Sequence, residues 1–334
     1  MTTKRARMDA AIRGDAVDKV PFGIWLHNFA EEYSDEVLAK ETVRLYERFD
    51  FDFIKPQTRA HCFGEMWGQE MAPPKGRDDW PVTSKFAVNA DGDLGNIRKV
   101  PANSGALAEQ VRAYRRIRDV VGPDVHIIAT VFSPMMNMTL MHKDGKPGAL
   151  ALQDSAPDAL EAAFDGMTST LEEYVALCRD AGVDGLFYAT TTGNAGECTK
   201  EQFERFQRPF DDRILAAAKG CPMNVLHVCG PAIQAPWFKD HAANVYSWAT
   251  TPGNPSLQDM HSLTGRAVMS GAPAKPKIAA MQPEELRAHV QRSLEEMKGR
   301  HHVLGPDCSI NSNTSPELMD VIADTVRKFK PAAH

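Results

Sequence analysis

The stretch MNVLHVCGP at residues 223–231 is apolar on both faces until its end, where a histidine and a cysteine precede a Gly-Pro turn. A strand that is apolar on both faces is typical of a parallel sheet covered by helices. A second stretch, HVLGPDCS at residues 302–309, has the same form near the other end of the chain. Together they predict buried parallel strands that end in residues able to carry chemistry.

Short apolar runs of this kind alternate with amphipathic segments along the whole chain. We predict eight strands, at residues 20–27, 52–57, 126–132, 185–190, 224–229, 245–249, 267–271 and 302–307. Helices are predicted at residues 34–49, 157–181, 199–219, 283–298 and 315–330, several with a capping residue or a proline at the start. This alternation favours an α/β protein with one (β/α)8 TIM barrel over residues 1–334. An open doubly wound sheet would need a G-x-G-x-x-G turn after the first strand, and none follows it.

Residues 59–103 are rich in Gly, Pro and Trp and are too long for an ordinary connection. We predict that they form an insertion after the second strand that caps the mouth of the barrel. Active sites of TIM barrels lie at the carboxyl ends of the strands, so a cap there would cover the chemistry.

Composition excludes several classes of function. The formal net charge is -6 and no Lys/Arg stripe is clustered, which argues against nucleic acid as a partner. No apolar stretch approaches the roughly 20 residues that span a bilayer, and the N-terminus lacks the apolar core of a secretory signal. The six cysteines include no C-x-x-C pair, so a disulfide framework is not expected. We therefore expect a cytoplasmic protein without nucleic-acid or membrane partners.

His227 and Cys229 are two residues apart on a predicted strand, so both side chains point to the same face. Cys308 ends the last predicted strand, and the three could bind one metal ion if these strand ends share a cleft. Three nitrogen and sulfur ligands with one position open are typical of a catalytic zinc site, whereas structural zinc usually has four protein ligands. Two thiolates and one imidazole suit a site that activates a thiol. The alternative, a core histidine with two small apolar thiols, stays open.

Further candidate site residues lie at other predicted strand ends. His27 ends the first strand and Tyr188 lies in the fourth, and both are candidate catalytic residues. Thr191 and Asn194 lie in the polar loop after the fourth strand, where they would bind a small substrate. Met136 could contact a flat apolar ligand.

Two further sets of residues each allow two interpretations. The methionines near Met136 could line the same ligand surface or fill the core, and they are Met135, Met138 and Met141. Glu65 and Glu70, in the predicted cap, are candidates for a provisional fourth zinc ligand or are ordinary solvated carboxylates. Asp307, next to Cys308, is a candidate to orient a metal-bound imidazole.

The triplet on a predicted eight-stranded barrel resembles the uroporphyrinogen decarboxylase superfamily, and within it the zinc-dependent methylcobamide:coenzyme M methyltransferase branch. Weaker similarity covers most of the chain, in the fragments DFIKP at 52–56, DGLFY at 184–188, AVMSG at 267–271 and GPDC at 305–308. The resemblance implies that His227, Cys229 and Cys308 bind Zn²⁺ and that a small-molecule thiol or methylated substrate takes the open position. It also implies a methyl group delivered by a corrinoid (cobalamin) on a partner protein.

Two alternatives remain. The decarboxylases of this superfamily carry an arginine-rich segment of the form R-Q-A-G-R after the first strand, whereas residues 25–32 here read WLHNFAEE, with two acids and no arginine. A polycarboxylated porphyrinogen would be repelled there. A metal-free decarboxylase-like lyase would need cationic side chains in the mouth of the barrel. A non-catalytic protein with structural zinc, or none, is the other alternative.

Overall fold

Seven parallel strands form one curled sheet in the computed structural model, which describes residues 2–332. The strands of the chain are β1 (Phe53–Ile54), β2 (Glu70–Ala72), β3 (Val82–Lys85), β4 (His126–Phe132), β5 (Gly185–Thr190), β6 (Val225–Val228), β7 (Val245–Trp248), β8 (Ala267–Ala272) and β9 (His302–Pro306). The sheet order is β1-β4-β5-β6-β7-β8-β9, while β2 and β3 form a separate antiparallel hairpin. The predicted α/β class is therefore confirmed, and the sheet has the curl of a TIM-barrel-like fold, with seven rather than the predicted eight parallel strands among the described residues.

Among the described residues the chain has thirteen helices, most of them on the outer face of the sheet. They are α1 (Lys4–Arg13), α2 (Asp35–Phe49), α3 (Cys62–Glu65), α4 (Gly105–Val121), α5 (Pro134–Met141), α6 (Gly145–Ser155), α7 (Pro157–Asp180), α8 (Lys200–Phe206), α9 (Arg208–Ala217), α10 (Ala235–Phe238), α11 (Leu257–Thr264), α12 (Pro283–Met297) and α13 (Pro316–Lys328). Short 3-10 turns occur at Phe29–Glu31, Asp91–Asn96 and Ile278–Ala280. Among the described residues, no helix is both long and apolar enough to cross a membrane.

Four of the five predicted helices are confirmed, as α2, α7, α12 and α13. The fifth, predicted at residues 199–219, is two helices, α8 and α9, that meet at Gln207. Pro209 lies in the first turn of α9, where its missing N–H costs nothing, whereas inside a continuous helix it would remove a hydrogen bond.

The predicted first strand at 20–27 is not a continuous strand. It is an extended segment joined to β9 by a parallel bridge between Phe22 and Leu304. On its other side, the backbone N–H of Asp52 donates to the oxygen of Phe22 over 2.8 Å, so the segment lies between β9 and β1. A second parallel bridge joins Leu26 to Ile310, so the pairing of the segment is confined to two separate bridges.

The two faces of the strands bury different cores. One cluster lies inside the curl of the sheet and includes Trp25, Phe53, Ile128, Phe187, Val225, Met269 and Val303. A larger cluster lies between sheet and helices and includes Ile127, Leu186, Tyr188, Leu226 and Tyr246. Because side chains alternate along a strand, a residue two positions after Phe53, Phe187 or Val225 points into the curl.

Helix α1, which the sequence did not predict, packs against the sheet. Met8 belongs to the inner cluster. Arg7 Nη1 lies 2.7 Å from Asp52 Oδ1, and Arg5 Nη2 lies 2.8 Å from Asp184 Oδ1. Asp52 is fully buried and also accepts a hydrogen bond from the backbone N–H of Phe22 over 3.1 Å. This carboxylate therefore ties α1 and the 20–27 segment to β1.

We expect Asp52→Ala to lower the free energy of unfolding by about 3 kcal/mol, because it leaves a buried guanidinium N–H and a backbone N–H without an acceptor. Urea unfolding followed by circular dichroism measures the change. Asp320→Ala, which removes the exposed pair with Arg48, is the matched control and should leave the unfolding midpoint unchanged. Equal effects of the two substitutions would contradict this role of Asp52.

Candidate metal centre

His227, Cys229 and Cys308 converge at the carboxyl ends of β6 and β9. One ring nitrogen and the two sulfur atoms all lie within 4.8 Å of one another. In tetrahedral zinc sites with bonds of about 2.0 to 2.3 Å, neighbouring ligand atoms are about 3.5 to 3.8 Å apart. Small movements of these side chains would thus bring all three atoms onto one ion. Within residues 2–332, no other three His, Cys, Asp or Glu side chains come together in this way.

The imidazole of His227 is oriented by a neighbouring strand. It is 2 % exposed, and its Nδ1 lies 3.0 Å from Ser247 Oγ, on the residue paired with it in β7. Its Nε2 is buried and has no hydrogen-bond partner. Phe187 stacks on the ring, with centroids 5.0 Å apart. Since Nδ1 has the hydroxyl as a partner, Nε2 is the nitrogen free to bind a metal, which would satisfy this buried atom.

Ser247, rather than Asp307, holds this imidazole, so the role expected for Asp307 is wrong. The Asp307 carboxylate accepts hydrogen bonds from Ser270 Oγ over 2.6 Å and from the backbone N–H of Thr250 over 3.1 Å. It also accepts from the backbone N–H of Gly271. These bonds join the ends of β7, β8 and β9, so Asp307 fixes the backbone that carries Cys308.

The two cysteines of the triplet shift each other's pKa in opposite directions. Cys229 donates to Cys308, and this hydrogen bond lowers the pKa of the Cys308 thiol well below its usual value, although burial opposes the shift and His227 assists it. The same bond, together with burial, raises the pKa of Cys229. These opposite shifts favour the thiolate form at Cys308 over that at Cys229. By contrast, Cys62 and Cys178 are fully buried in the outer core, and burial raises the pKa of both thiols.

His27 lies on the inner face of its segment but is not part of the triplet. Its Nδ1 is 2.6 Å from Glu32 Oε1 and its Nε2 is 2.6 Å from the amide nitrogen of Gln57. The ring also stacks on Phe29, with centroids 4.5 Å apart. His27 is therefore tightly held at the carboxyl end of its segment, and its catalytic role stays a prediction.

Tyr188 faces away from the triplet. It alternates with Phe187, so its side chain is fully buried between the sheet and the helices. Its hydroxyl donates to Asp211 Oδ1 on α9 over 2.5 Å. Burial first, and then the Asp211 carboxylate, raises its pKa well above the usual range. The catalytic role predicted for Tyr188 does not fit this placement, because no ligand at the triplet can reach its hydroxyl.

Two predicted substrate-binding residues lie in the loop after β5. The backbone oxygen of Thr191 accepts a hydrogen bond from Lys146 Nζ over 2.6 Å. Asn194 donates to Glu197 Oε1 over 3.1 Å and lies against Gly230, next to Cys229. Gly230 has φ +122°, and a Cβ there would come 2.3 Å from the Asn194 amide nitrogen. This loop therefore borders the triplet, and substrate binding by it stays a prediction.

The methionines after β4 separate into two groups. Met136 is half-buried and packs against the inner cluster. The other three are buried in the outer core, as core-filling residues would be, and they are Met135, Met138 and Met141. Only Met136 thus remains a candidate for ligand contact.

Neither acid proposed as a fourth ligand reaches the triplet. Glu65 Oε2 lies 2.7 Å from the guanidinium of Arg59, and Glu70 Oε1 lies 2.9 Å from Lys85 Nζ. Both carboxylates are engaged by cations of their own segment, so the suggestion that they complete the site is wrong.

The sequence reading missed one residue that the structure brings close to the triplet. Lys55 follows β1 on the inner face, is 7 % exposed, and places Nζ 4.7 Å from the ring centroid of Phe187. Burial lowers its pKa to about 7, while the negative charges of Cys308 and Glu32 act in the opposite direction. The signal in the sequence was a lysine directly after a fully apolar pair, in FIK at residues 53–55.

Comparisons with known proteins agree with this architecture. The family model described as "Uroporphyrinogen decarboxylase (URO-D)" matches residues 3–329. A solved structure of a methyltransferase from Methanosarcina mazei is similar, with TM-score 0.83 and 19% identity over 98% of this chain and 99% of that one. A B12-independent methionine synthase from Shewanella sp. W3-18-1 has TM-score 0.59 and 14% identity over 93% and 96% of the two chains. No curated protein matches the chain. At these identities the solved structures show a shared fold.

We expect the purified protein to bind about one Zn²⁺ per chain and Cys308→Ala to remain folded while losing it, because Cys308 lies beyond the packed part of β9. Elemental analysis with a thermal melt measures both. Cys221→Ser is the matched control, since this half-buried thiol is not part of the triplet. Zinc retained by Cys308→Ala would rule out Cys308 as a ligand, and unfolding of wild type on chelation would indicate a structural site.

Ser247→Ala should weaken Zn²⁺ binding by about 10- to 100-fold, because the hydroxyl orients the imidazole through Nδ1. Competition with a chromophoric chelator gives the affinity. Thr168→Val is the control, because Thr168 is another buried hydroxyl without a partner and lies on α7, outside the sheet. An unchanged affinity in Ser247→Ala would mean that the strand alone fixes the ring.

Proposed function

The chain belongs to the uroporphyrinogen decarboxylase family, and from this premise we propose that it is a zinc-dependent methyltransferase that moves a methyl group to or from the sulfur atom of a small molecule. The observation that carries the proposal is the convergence of His227, Cys229 and Cys308 on one point, with the buried Nε2 of His227 unpartnered. Decarboxylation of a porphyrinogen does not require such a set of metal-binding nitrogen and sulfur atoms.

The three donors fit zinc by their chemistry. Two sulfur atoms and one imidazole nitrogen are the ligands that zinc prefers, and three of them leave one position for a substrate. A zinc ion held there would lower the pKa of a substrate thiol while leaving its sulfur nucleophilic. Glu65 and Glu70 are bound elsewhere, and within the described residues no carboxylate belongs to the group of donor atoms formed by the triplet.

The residues around the triplet would position the substrate and exclude water. Ser247 fixes the His227 ring, and Asp307 fixes the backbone before Cys308. Phe187 and Met136 form apolar surface on the inner side.

In the transfer step the substrate sulfur uses a lone pair to form the S–CH3 bond, and the methyl donor keeps the electron pair of the bond that breaks. The thiol proton has already left to solvent.

We propose a corrinoid on a partner protein as the methyl donor. The resemblance to the methylcobamide-dependent branch supports this, and Met136 offers an adaptable apolar contact near the site. One structurally similar protein is described as a methyltransferase, and another as a B12-independent methionine synthase. A direct assay with methylcobalamin therefore tests the identity of the methyl donor.

We also propose that residues 59–103 cap the site. The rings of Trp80 and His27 lie edge to face, with centroids 5.9 Å apart. The backbone N–H of Phe29 donates to the oxygen of Arg77 over 3.1 Å. Arg77 in turn donates to the oxygen of Ser312, beyond β9, over 3.1 Å. These contacts support a segment that reaches across strand ends on both sides of His27.

The metal-free decarboxylase-like lyase remains the second candidate, and one observation favours it. Lys55 supplies a cation on the inner face, as a carboxylated substrate would require. The triplet has no role in that chemistry, so sensitivity to chelators separates the two candidates.

We expect the zinc-loaded protein to convert methylcobalamin and a thiol into cob(I)alamin and a methyl thioether, with loss of more than about 100-fold in rate in Cys308→Ala or after chelation. The cobalamin absorption spectrum and mass spectrometry of the thioether follow the reaction, and Cys221→Ser serves as the control. Chelator-insensitive release of CO2 from a carboxylated substrate, without thioether formation, would instead establish the lyase.

A further inference from the structure

A cleft of about 470 Å³ lies between the loop after β7 and one face of α12. The loop contributes most of residues 250–257, and the helix contributes His289, Arg292, Ser293 and Glu296. These four residues are spaced i, i+3, i+4 and i+7, so they share one face of the helix. Within the described residues, the cleft and the metal-binding triplet have no residue in common. Clefts of about 300 to 1,000 Å³ hold small organic molecules.

Both walls of the cleft are held by hydrogen bonds to the sheet and its loops. Asn254 Nδ2 donates to the oxygen of Ala249 over 2.8 Å and to that of Gly230 over 2.9 Å. On the other wall, Ser293 Oγ donates to the oxygen of Gly271 in β8 over 3.1 Å. A Cβ added at Gly271 would lie 2.7 Å from that of Ser293, so α12 packs closely on the strand here. The cleft is therefore built into the fold before any ligand binds.

Arg292 brings a cation to the cleft that the fold does not use. Its guanidinium forms no ion pair or hydrogen bond within the described part of the chain. Glu296, one turn later on the same face, instead receives the backbone N–H of Gln258 over 3.0 Å. A guanidinium presents its N–H donors in a planar fork that matches the oxygens of a phosphate group. The charge and the donors of Arg292 are therefore available to a ligand in the cleft.

His289 contributes a second polar group without a partner. Its Nε2 is buried and has no hydrogen-bond partner. Burial, and then the charge of Lys277, lowers the pKa of this histidine, so its ring is neutral at neutral pH. Arg292 acts on this pKa in the same direction, whereas Asp307 and Glu285 act in the opposite one. A neutral imidazole still donates one N–H, and a ligand oxygen at Nε2 would satisfy this buried atom.

The loop side of the cleft offers apolar surface. Pro252 and Pro255 lie on this side, and Thr251 adds an exposed hydroxyl. A phosphate ion alone would contact the helix side and leave the proline rings to water. A phosphate ester would use both sides, because its organic part packs on the proline rings. The lining thus favours a ligand that joins one phosphate group to a small organic group.

We propose that this cleft is a second ligand site, in which Arg292 and His289 bind the phosphate group of a small molecule. Two of the phosphate oxygens accept hydrogen bonds from the guanidinium, and a third accepts one from His289 Nε2. The site goes beyond the proposed methyl transfer, because the binding of a phosphate group here requires neither zinc nor a thiol.

Titration calorimetry in a phosphate-free buffer, with inorganic phosphate and phenyl phosphate as probes, tests the proposal. We expect wild type to bind phosphate, and Arg292→Gln to weaken the binding of both probes about 10-fold or more, because charge-assisted hydrogen bonds are lost. Tighter binding of phenyl phosphate than of inorganic phosphate supports a phosphate ester as the ligand, and equal binding supports the free ion.

Arg287→Gln is the matched control, because Arg287 is another exposed arginine of α12 and lies outside the cleft. A thermal melt checks that each variant is folded, as expected for exposed side chains. Failure of wild type to bind either probe would overturn the proposal. Equal weakening by the two arginine substitutions would also overturn it, because it would show unspecific attraction to a basic surface.

Glu296→Gln supplies the opposite change. The glutamine keeps an oxygen that accepts the backbone N–H of Gln258, but it removes a negative charge from the cleft. We expect this variant to bind phosphate about 3-fold more tightly, the scale of an exposed charge interaction. An unchanged or weaker affinity would contradict the placement of the phosphate beside this face of α12.

Metal-free protein separates this site from the metal centre, since a phosphate could also bind to a zinc ion. The titrations are therefore repeated after treatment with a chelator and after loading with Zn²⁺. Equal affinity in the two samples supports a separate site. Phosphate binding that occurs only in the zinc-loaded protein would place the ligand on the metal and overturn the proposal. Failure of the chain to bind zinc, with phosphate binding that depends on Arg292, would remove the methyltransferase alone.

Discussion

The curl of the parallel sheet is the constraint on which the site depends. Neighbouring strands are about 4.8 Å apart, and β6 and β9 are separated by β7 and β8. In a flat sheet their ends would lie about 14 Å apart, whereas the donor atoms of His227, Cys229 and Cys308 lie within 4.8 Å of one another. Large inner side chains, Trp25 and Phe187 among them, fill the space that this curl encloses. The packing of the inner core therefore sets the geometry of the ligands.

Sequence reasoning succeeded where one residue pattern carried two kinds of information. In residues 223–231 the apolar run predicts a buried strand, and the i, i+2 spacing of His227 and Cys229 predicts a shared face. Two strands, β4 and β5, match their predicted bounds because glycine, proline or polar residues flank each apolar run. The convergence of Cys308 followed from a property of the fold, since parallel strands in a barrel present their carboxyl ends on one side.

Sequence reasoning failed where a strand is apolar on both faces. Tyr188 lies in a strand that is buried on both faces, so the sequence does not show which residues point inward. The register settles this, because Ala189 pairs with His227 and therefore Phe187 and Ala189 share its face. The prediction of a continuous strand at residues 20–27 was wrong for another reason. Its pairing is confined to bridges at Phe22 and Leu26, and its place between β9 and β1 depends on long-range contacts such as that of Asp52.

Lys55 shows how the electrostatics of the ligand set extend beyond it. The negative charge of a Cys308 thiolate favours the ammonium form of Lys55, against the burial that lowers the pKa of this lysine. A divalent ion on two thiolates and an imidazole has no net charge, so this support for the ammonium is lost when the ligands are neutralised. A buried ammonium without a counter-charge is costly. Filling the ligand set with a divalent ion would therefore favour the neutral amine of Lys55.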